Sequence, residues 1–230
     1  MENLFTKRHE IKHTITNHEY LIYMSRLDKV LKRDDNCKED SYTITSLYYD
    51  DINNSALHEK LSGDAIRHKY RLRYYEDDTT FIKLEEKSKI HQMTNKESAI
   101  ITSKEARSIL NNDFSQLDYG ESALKNDFIS KVKTRRLMPK VIVRYERIAY
   151  VHKVGKLRIT FDTNIRSSTD FTQMLSEGLD FKSVIDPGLV IMEIKFDGVM
   201  PDHIKGLIES ERTMATSSSK YVLSRLMQDK

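Results

Sequence analysis

A single stretch of the chain places a row of cations on one side of a predicted β-strand. Between residues 65 and 75, arginine and lysine occupy every second position, and mostly apolar or aromatic residues lie between them. Because successive side chains of a strand point to opposite faces, this alternation separates the two kinds of residue. The row of cations is Arg67, Lys69, Arg71 and Arg73. Like charges in line repel one another, so the row either lies on a solvated face or faces negative charge.

The same alternation recurs along the chain. Charged residues at every second position, opposite an apolar face, are found in six of the seven segments whose composition is typical of strands. The predicted strands are Lys7–Ile15, Tyr42–Asp50, Ala65–Tyr75, Thr80–Lys89, Lys140–Val151, Leu157–Thr163 and Leu189–Phe196. Two architectures fit this pattern: a flat antiparallel sheet with one solvated face, and a closed barrel whose polar residues point inward.

The predicted helices favour the barrel. They are Asn17–Arg33, Ser103–Asn111, Phe114–Arg135, Pro201–Arg212 and Ser217–Gln228, and the first two have capping boxes at Thr16–Glu19 and Thr102–Glu105. Each helix must bury its apolar stripe against another element, and together they can cover the outside of a barrel. The sequence therefore predicts an α+β fold, a closed antiparallel β-barrel with a basic interior that is jacketed by helices.

Composition limits the class of protein. The 38 Lys and Arg residues exceed the 35 Asp and Glu residues by only three, which argues against a nucleic-acid-binding protein. The single cysteine, Cys37, excludes an internal disulfide and a cysteine-based zinc site. The chain has neither an apolar run of about 20 residues nor the apolar stretch of a signal peptide. We expect a single domain spanning residues 1–230, located in the cytoplasm, whose oligomeric state the sequence does not indicate.

An enclosed row of cations needs an anionic ligand, because unscreened like charges in a medium of low dielectric constant are costly. Arginine binds oxyanions through its planar fork and lysine acts as a point charge, so the two together suit phosphate. Two acidic residues, Glu10 and Glu193, lie among the cations. They are poor phosphate contacts but suitable ligands for Mg²⁺ or Mn²⁺, although Glu10 could equally orient Arg8 or Lys12.

Several segments together resemble a known family. Residues 8–12, Arg-His-Glu-Ile-Lys, resemble the opening strand of the triphosphate tunnel metalloenzymes. Further segments resemble the VTC branch, the polyphosphate polymerase domain of the vacuolar transporter chaperone complex and its bacterial relatives. These segments are 46–50, 65–74, 83–87, 95–97, 139–150, 157–162, 192–195 and 219–221. No single segment is specific to this branch, but the order and spacing of the segments together are fairly specific to it.

The resemblance implies an ATP-driven polymerase that moves the γ-phosphate of ATP onto a growing polyphosphate chain. The residues expected to carry the reaction are Arg71, Arg73, Lys87, Arg147 and Arg158. Those expected to bind further phosphates are Lys12, Lys96, Tyr145, Lys195, Ser219 and Lys220, together with Lys69 from the row of cations. Glu193, with Glu10, is expected to hold Mn²⁺ or Mg²⁺. One departure from the family pattern is Ser217, which stands where a basic residue is expected.

This reaction fits the residues present, because phosphoryl transfer needs positioning and charge neutralisation rather than a nucleophilic side chain. Two alternatives remain open: a metal-dependent triphosphatase of the same fold, and a polyphosphate-binding module without activity. A triphosphatase is expected to have more acidic residues beside the cations. The expected partners are ATP and inorganic polyphosphate. No membrane-spanning or inositol-phosphate-binding segment is found, so a link to a membrane is expected to need a separate membrane protein.

Overall fold

The fold is described from a computed structural model of the chain. It describes residues 8–37, 40–91, 93–117, 122–176, 178–208 and 219–228. The chain divides into two compact units. Unit 1 comprises the described residues within 1–42, 145–165 and 185–218, and unit 2 comprises those within 43–144, 166–184 and 219–230.

Strands dominate the secondary structure. They are β1 (Arg8–Thr16), β2 (Lys32–Arg33), β3 (Tyr42–Asp50), β4 (Ile66–Tyr75), β5 (Asp78–Ile90), β6 (Met93–Ile101), β7 (Met138–His152), β8 (Leu157–Ser168), β9 (Lys182–Ser183) and β10 (Leu189–Asp197). The helices are α1 (Asn17–Leu27), α2 (Ser55–Ser62), α3 (Ser103–Leu110), α4 (Ala123–Arg135), α5 (Asp202–Ile208) and α6 (Lys220–Gln228). None of the described helices is long and apolar enough to cross a membrane.

In unit 1 the sheet runs in the order β1-β10-β8-β7, and β2 pairs with the end of β7. The pairs β1–β10 and β10–β8 are antiparallel and place Glu193 between Lys12 and Thr160 in the cross-strand register. The neighbours of Glu193 along β10, Met192 and Ile194, point to the opposite face and belong to the buried core. Helices α1 and α5 contribute further residues to this core. The charged residues therefore lie on the face of the sheet opposite the core.

In unit 2 the sheet runs in the order β7-β3-β4-β5-β6, and β9 pairs with the end of β8. Strands β3 to β6 form antiparallel pairs that place Tyr48, Arg71 and Glu85 in one cross-strand row. The next row, which includes Leu72 and Leu84, points to the opposite face and packs with residues of α3 and α4 in a second core. As in unit 1, one face of the sheet is apolar and the other is charged.

The predicted α+β, antiparallel sheet-rich fold is confirmed. Both capping boxes are present, since Thr16 and Glu19, and Thr102 and Glu105, exchange the two hydrogen bonds of that motif. Among the described residues, the path of paired strands begins at β1 and ends at β6, so the closed barrel stays a prediction. The single-domain organisation also stays a prediction.

The boundaries of several elements differ from the predictions. The first helix ends at Leu27 instead of residue 33. Leu21 and Val30, which have the apolar spacing of a helix in the sequence, are 63% and 47% exposed. The helix ends earlier than the apolar spacing suggests, because residues 32 and 33 pair with β7 as the short strand β2. The fourth helix begins at residue 123 rather than 114, and β6 and α2 were not predicted as elements. Leu226, which lies at helical spacing from the buried Val222 in the last helix, is 45% exposed.

Candidate functional site

The arginines of β4 converge on a buried carboxylate of unit 2. Arg71 donates from Nε to Glu85 Oε2 at 2.6 Å, and Arg73 Nε lies 3.8 Å from the same oxygen. Arg73 also donates to the hydroxyl of Ser46 on β3 at 3.0 Å. The alternation of the sequence explains this geometry, because residues 71, 73 and 85 point to the same face of adjacent strands. Glu85 and Ser46 therefore hold the two arginines in place.

Lys96 of β6 completes this set of charges. Its Nζ lies 2.5 Å from Glu85 Oε1, and the Glu85 side chain is only 2% exposed. Burial raises the pKa of Glu85, but Arg71, Arg73 and Lys96 lower it to about 2. Glu85 is therefore ionised throughout the neutral range and is surrounded by three cations.

Three lysines form a second cross-strand row beside Glu85. Lys69 of β4 lies opposite Lys87 of β5, which lies opposite Lys96 of β6. Directly opposed like charges destabilise a sheet unless negative charge compensates them. Lys87 is exposed and Lys69 is partly buried, so the row extends from the interior of this face toward solvent.

Tyr48 of β3 is buried among the same cations. Its hydroxyl accepts a hydrogen bond from Arg71 Nη1 at 3.3 Å, and the two residues are cross-strand partners. Burial raises the pKa of Tyr48, but Arg71, Arg73 and Lys69 lower it to about 7. The phenol of Tyr48 is therefore expected to ionise near neutral pH, where an ordinary tyrosine stays protonated.

The last helix begins beside these strands with two predicted site residues. Ser219 precedes α6, and its hydroxyl accepts a hydrogen bond from the backbone N–H of Val222 at 3.2 Å, as an N-cap does. Lys220 is the first residue of the helix. Ser219 therefore has a structural role in addition to the phosphate contact predicted for it. Ser217, the predicted departure from the family pattern, lies outside the described residues.

In unit 1, Arg147 of β7 forms a bidentate ion pair with Asp162 of β8. Its Nε and Nη2 donate to the two carboxylate oxygens at 2.6 and 2.8 Å, and the Asp162 side chain is fully buried. Burial lowers the pKa of Arg147, but Asp162 raises it well above its usual value. The ring of the buried Tyr145 lies 5.3 Å from the guanidinium carbon. Arg147 is consequently fixed in one orientation on the charged face.

Arg158 of β8 is held by a different pair of residues. Its Nη1 lies 2.5 Å from Asp34 Oδ2, and its Nη2 donates to the hydroxyl of Tyr42 at 3.0 Å. Burial raises the pKa of Asp34, but hydrogen bonds from Asn36 and the charge of Arg158 lower it below its usual value. Like Arg71 and Arg147, Arg158 is oriented by a carboxylate.

Four charged residues of β1 and β10 form a compact cluster. Lys12 Nζ lies 2.9 Å from Glu10 and 3.5 Å from Glu193, and Lys195 Nζ lies 3.2 Å from Glu193. Burial lowers the pKa of Lys12, but Glu193 and Glu10 raise it overall. Burial raises the pKa of Glu193, but Lys12 and Lys195 lower it overall. Lys12 and Glu193 are therefore charged at neutral pH.

This cluster offers the oxygen donors that a hard divalent cation prefers. Glu10 and Glu193 both reach the ammonium of Lys12, so their carboxylates already share one cation. Thr160, the cross-strand partner of Glu193, has a buried hydroxyl oxygen without a hydrogen-bond partner among the described residues. The described residues contain no group of three or more His, Cys, Asp or Glu side chains that would hold a metal alone. The donors present fit a Mg²⁺ or Mn²⁺ ion that takes its remaining ligands from phosphate.

The predicted residues thus fall into two sets, one in each unit. Unit 2 contains Lys69, Arg71, Arg73, Lys87, Lys96, Ser219 and Lys220. Unit 1 contains Glu10, Lys12, Tyr145, Arg147, Arg158, Glu193 and Lys195. Within each set the side chains lie on the charged face of the sheet or at the start of α6.

Sequence reasoning assigned no role to the carboxylates that hold the arginines. Alternation places Glu85 on the face of Lys83 and Lys87, and Asp162 on the face of Arg158, but it does not show that these carboxylates hold arginines. No local signal identified Asp34, which lies in a loop, or Tyr48, whose proximity to Arg71 depends on strand pairing. Within each unit, guanidinium groups that carboxylates already orient are suited to bind an oxyanion.

Comparison with known proteins gives the fold and the family. A comparison with curated proteins found no match. The structure is similar to protein PH1819 of Pyrococcus horikoshii (13% identity, TM-score 0.46, covering 96% of this chain and 100% of that one). It is also similar to a candidate adenylate cyclase of Bacillus halodurans (13% identity, TM-score 0.50, covering 87% of this chain and 87% of that one). A candidate adenylate cyclase of Vibrio parahaemolyticus is similar as well (11% identity, TM-score 0.47, covering 88% of this chain and 83% of that one). At this identity, the Bacillus halodurans similarity shows a shared fold and nothing about activity.

The family comparison covers most of the sequence. The model of the VTC domain matches residues 7–227, which include both sets of candidate site residues. The resemblance to the VTC family, which rested on the order and spacing of the similar segments, is therefore confirmed. The chain belongs to the VTC domain family.

Proposed function

We propose that this protein is an ATP-dependent polyphosphate polymerase that uses a divalent metal. Membership in the VTC domain family supports a function in polyphosphate or triphosphate chemistry. The observation that carries the proposal is the imbalance of charge around Glu85. Arg71, Arg73 and Lys96 all approach this one carboxylate, and Lys69 and Lys87 lie in the adjacent row. An excess of cations at one buried carboxylate favours a ligand that carries several negative charges.

In the proposed reaction, a terminal oxygen of the growing polyphosphate attacks the γ-phosphorus of ATP. The bond between that phosphorus and the β–γ bridging oxygen breaks, and ADP leaves with the electron pair of the broken bond. No side chain forms a covalent bond, so the protein contributes positioning and charge stabilisation. Arg71, Arg147 and Arg158 suit this role because carboxylates already orient their guanidinium groups.

A bound Mg²⁺ or Mn²⁺ would neutralise charge on the phosphate oxygens. Glu193 and Glu10 are the residues proposed to hold it, and Lys12 and Lys195 are proposed to bind phosphate beside it. The closed barrel belongs to this proposal. The single domain, the cytoplasmic location and the separate membrane-protein partner stay predictions.

The second candidate is a metal-dependent triphosphatase of the same fold. The structure adds Glu85, Asp162 and Asp34 to the carboxylates that were expected among the cations. Such residues would favour hydrolysis if they could bind a second metal or activate water. Each of them is instead paired with an arginine at 2.5 to 2.6 Å, which favours a role in orienting the cations. The pairing therefore favours the polymerase.

An assay with purified protein separates the candidates. The protein is incubated with ATP and Mn²⁺, with and without a short polyphosphate primer, and the products are resolved on a gel. Long chains together with ADP support the polymerase, and free phosphate alone supports the triphosphatase. Retention of polyphosphate without turnover of ATP supports a binding module.

The Arg71→Ala substitution tests the assignment of the site. Loss of one oriented donor to a transferring phosphoryl group is expected to lower the turnover about 100-fold. Arg107→Ala, which removes an exposed arginine of α3, is the matched control and is expected to keep full activity. Circular dichroism checks that both variants are folded. Full activity in Arg71→Ala would show that the site is misplaced.

A further inference from the structure

The carboxylate of Asp50 joins three elements of unit 2. Asp50 is the last residue of β3 and is 2% exposed. Its Oδ1 accepts a hydrogen bond from the backbone N–H of Ala56 at 2.9 Å, and its Oδ2 accepts one from that of Leu57 at 3.1 Å. These N–H groups belong to the first turn of α2, whose own N-cap, Asn54, makes no side-chain capping bond. Asp50 therefore caps α2 from the end of a neighbouring strand.

The second oxygen of Asp50 also binds the last helix. The hydroxyl of Tyr221, in the first turn of α6, donates to Asp50 Oδ2 at 2.5 Å. The same hydroxyl accepts a hydrogen bond from Arg225 Nη1 at 3.1 Å, and Arg225 Nη2 donates to Asn54 Oδ1 at 3.1 Å. Tyr221 is 1% exposed, so its bond to Asp50 is shielded from water, whereas Arg225 and Asn54 are partly buried. This network fixes the start of α6 to β3 and α2.

The ring of Tyr221 lies beside the row of cations. Lys69 Nζ is 4.6 Å from the centroid of this ring, within the range of a cation–π interaction. The Tyr48 ring lies 5.3 Å from it. In the sequence, Tyr221 directly follows Ser219 and Lys220, so whatever fixes Tyr221 also limits where these two residues can lie.

We propose that Asp50 and Tyr221 are positioning residues, which hold Lys69 and the Ser219–Lys220 turn where phosphate binds. The proposal rests on the proposed function, since it takes Lys69, Ser219 and Lys220 as phosphate contacts. A lysine side chain gains little binding free energy from an oxyanion unless its backbone is already in place, because ordering the long side chain costs entropy. A displacement of about 1 Å is enough to impair phosphoryl transfer. Asp50 and Tyr221 act through these neighbours and do not touch the substrate.

Tyr221→Phe tests the proposal because it removes the hydroxyl and keeps the ring beside Lys69. The Michaelis constant for the polyphosphate primer is expected to rise about tenfold, as loss of a hydrogen bond to a buried carboxylate implies. The dissociation constant for tripolyphosphate should rise by a similar factor. Hydrogen exchange of the Leu223 amide, which bonds to the Ser219 carbonyl at 3.0 Å, should become about tenfold faster.

Tyr74→Phe is the matched control. Tyr74 is another buried tyrosine of unit 2, and its hydroxyl donates to the carbonyl of Met174 at 2.9 Å, on the core side of the sheet. This variant also loses a buried tyrosine hydrogen bond, here to a neutral carbonyl oxygen. It is expected to keep the wild-type Michaelis constant and the wild-type exchange rate of the Leu223 amide.

A double-mutant cycle with Lys220→Ala separates positioning from a merely structural effect. If Tyr221 acts through Lys220, the two substitutions together raise the Michaelis constant by much less than the product of their separate effects. Independent effects that multiply would overturn the proposal, and so would a Tyr221→Phe variant with wild-type binding and exchange. If wild-type protein neither turns over ATP nor binds tripolyphosphate, the proposed function itself fails, and this proposal fails with it.

Discussion

Arg71 and Glu85 face each other across strands β4 and β5, and Arg71 Nε donates to Glu85 Oε2 at 2.6 Å. Glu85 is buried and also contacts Lys96, and Arg73 lies 3.8 Å from it. The carboxylate thus supplies the negative charge that offsets the repulsion within this cluster of cations. A polyanion that binds the cluster meets arginines whose orientation is already set, which lowers the entropy cost of binding.

Glu85→Gln is expected to destabilise the protein by about 3 kcal/mol at pH 7, because it leaves the surrounding cations without their counter-charge. The pKa of Glu85 is lowered from 4.5 to about 2 on folding. Its contribution is therefore complete above about pH 4.5 and is lost as the pH falls toward 2. Urea unfolding between pH 2 and pH 7 measures the difference. The exposed Glu97→Gln on β6 serves as the control, and equal unfolding curves for wild type and Glu85→Gln would contradict the prediction.

Tyr48 is expected to titrate near neutral pH, since its pKa is lowered from 10 to about 7 by Arg71, Arg73 and Lys69 against the effect of burial. Tyrosinate absorbance near 295 nm should rise in this range and be missing in Tyr48→Phe. Tripolyphosphate should shift the transition to higher pH, because it neutralises the cations that favour the phenolate. A lowered native pKa stabilises the folded state increasingly as the pH rises from 7 to 10. A wild-type titration that starts only near pH 10 would refute the assignment.

Arg147→Ala is expected to cost about 3 to 5 kcal/mol of stability, because Asp162 then stays buried without its bidentate partner. Adding Asp162→Asn removes the uncompensated charge and should restore most of the stability. Turnover should stay low in the double variant if Arg147 binds phosphate. Urea unfolding and the polymerase assay together separate the two roles. Recovery of turnover in the double variant would show that Arg147 has only a structural role.

Glu193→Gln is expected to weaken the binding of Mn²⁺ by at least about tenfold in the presence of tripolyphosphate, because an amide is a poorer ligand for a hard cation than a carboxylate. Lys12 and Lys195 lower the pKa of Glu193 despite its burial, so the carboxylate is available at neutral pH. Titration calorimetry or the electron paramagnetic resonance of free Mn²⁺ measures the affinity. Asp202→Asn, an exposed residue of unit 1, is the control. Unchanged affinity in Glu193→Gln would place the metal elsewhere.

The charged faces of the sheet could be predicted well from the sequence. Alternation correctly grouped Arg71 with Arg73 and separated them from Leu72, which is buried in the core. It was less informative where local composition is ambiguous. The strand Met93–Ile101 is almost entirely exposed and has no apolar face by which to recognise it, so Lys96 was predicted from resemblance alone.

The sequence predicted the starts of two helices correctly but not the end of α1. The capping boxes were visible in the sequence because they depend on residues three positions apart, and both are present. The end of α1 was predicted too late, since Val30 continues the apolar spacing although the chain has already left the helix. Where a helix stops depends on what the next segment pairs with, and here Lys32 and Arg33 pair with β7.

By itself, the sequence determined which charged residues share the face of each strand, because side-chain alternation is a local property of an extended backbone. The tertiary structure alone decided which carboxylate meets which cation. Arg71 meets Glu85 because of the register of β4 and β5, and Tyr221 meets Asp50 across 171 residues of chain. Such contacts depend on strand register and on the docking of a distant helix. Both are set by the burial of apolar surface over the whole unit, and no short segment encodes them.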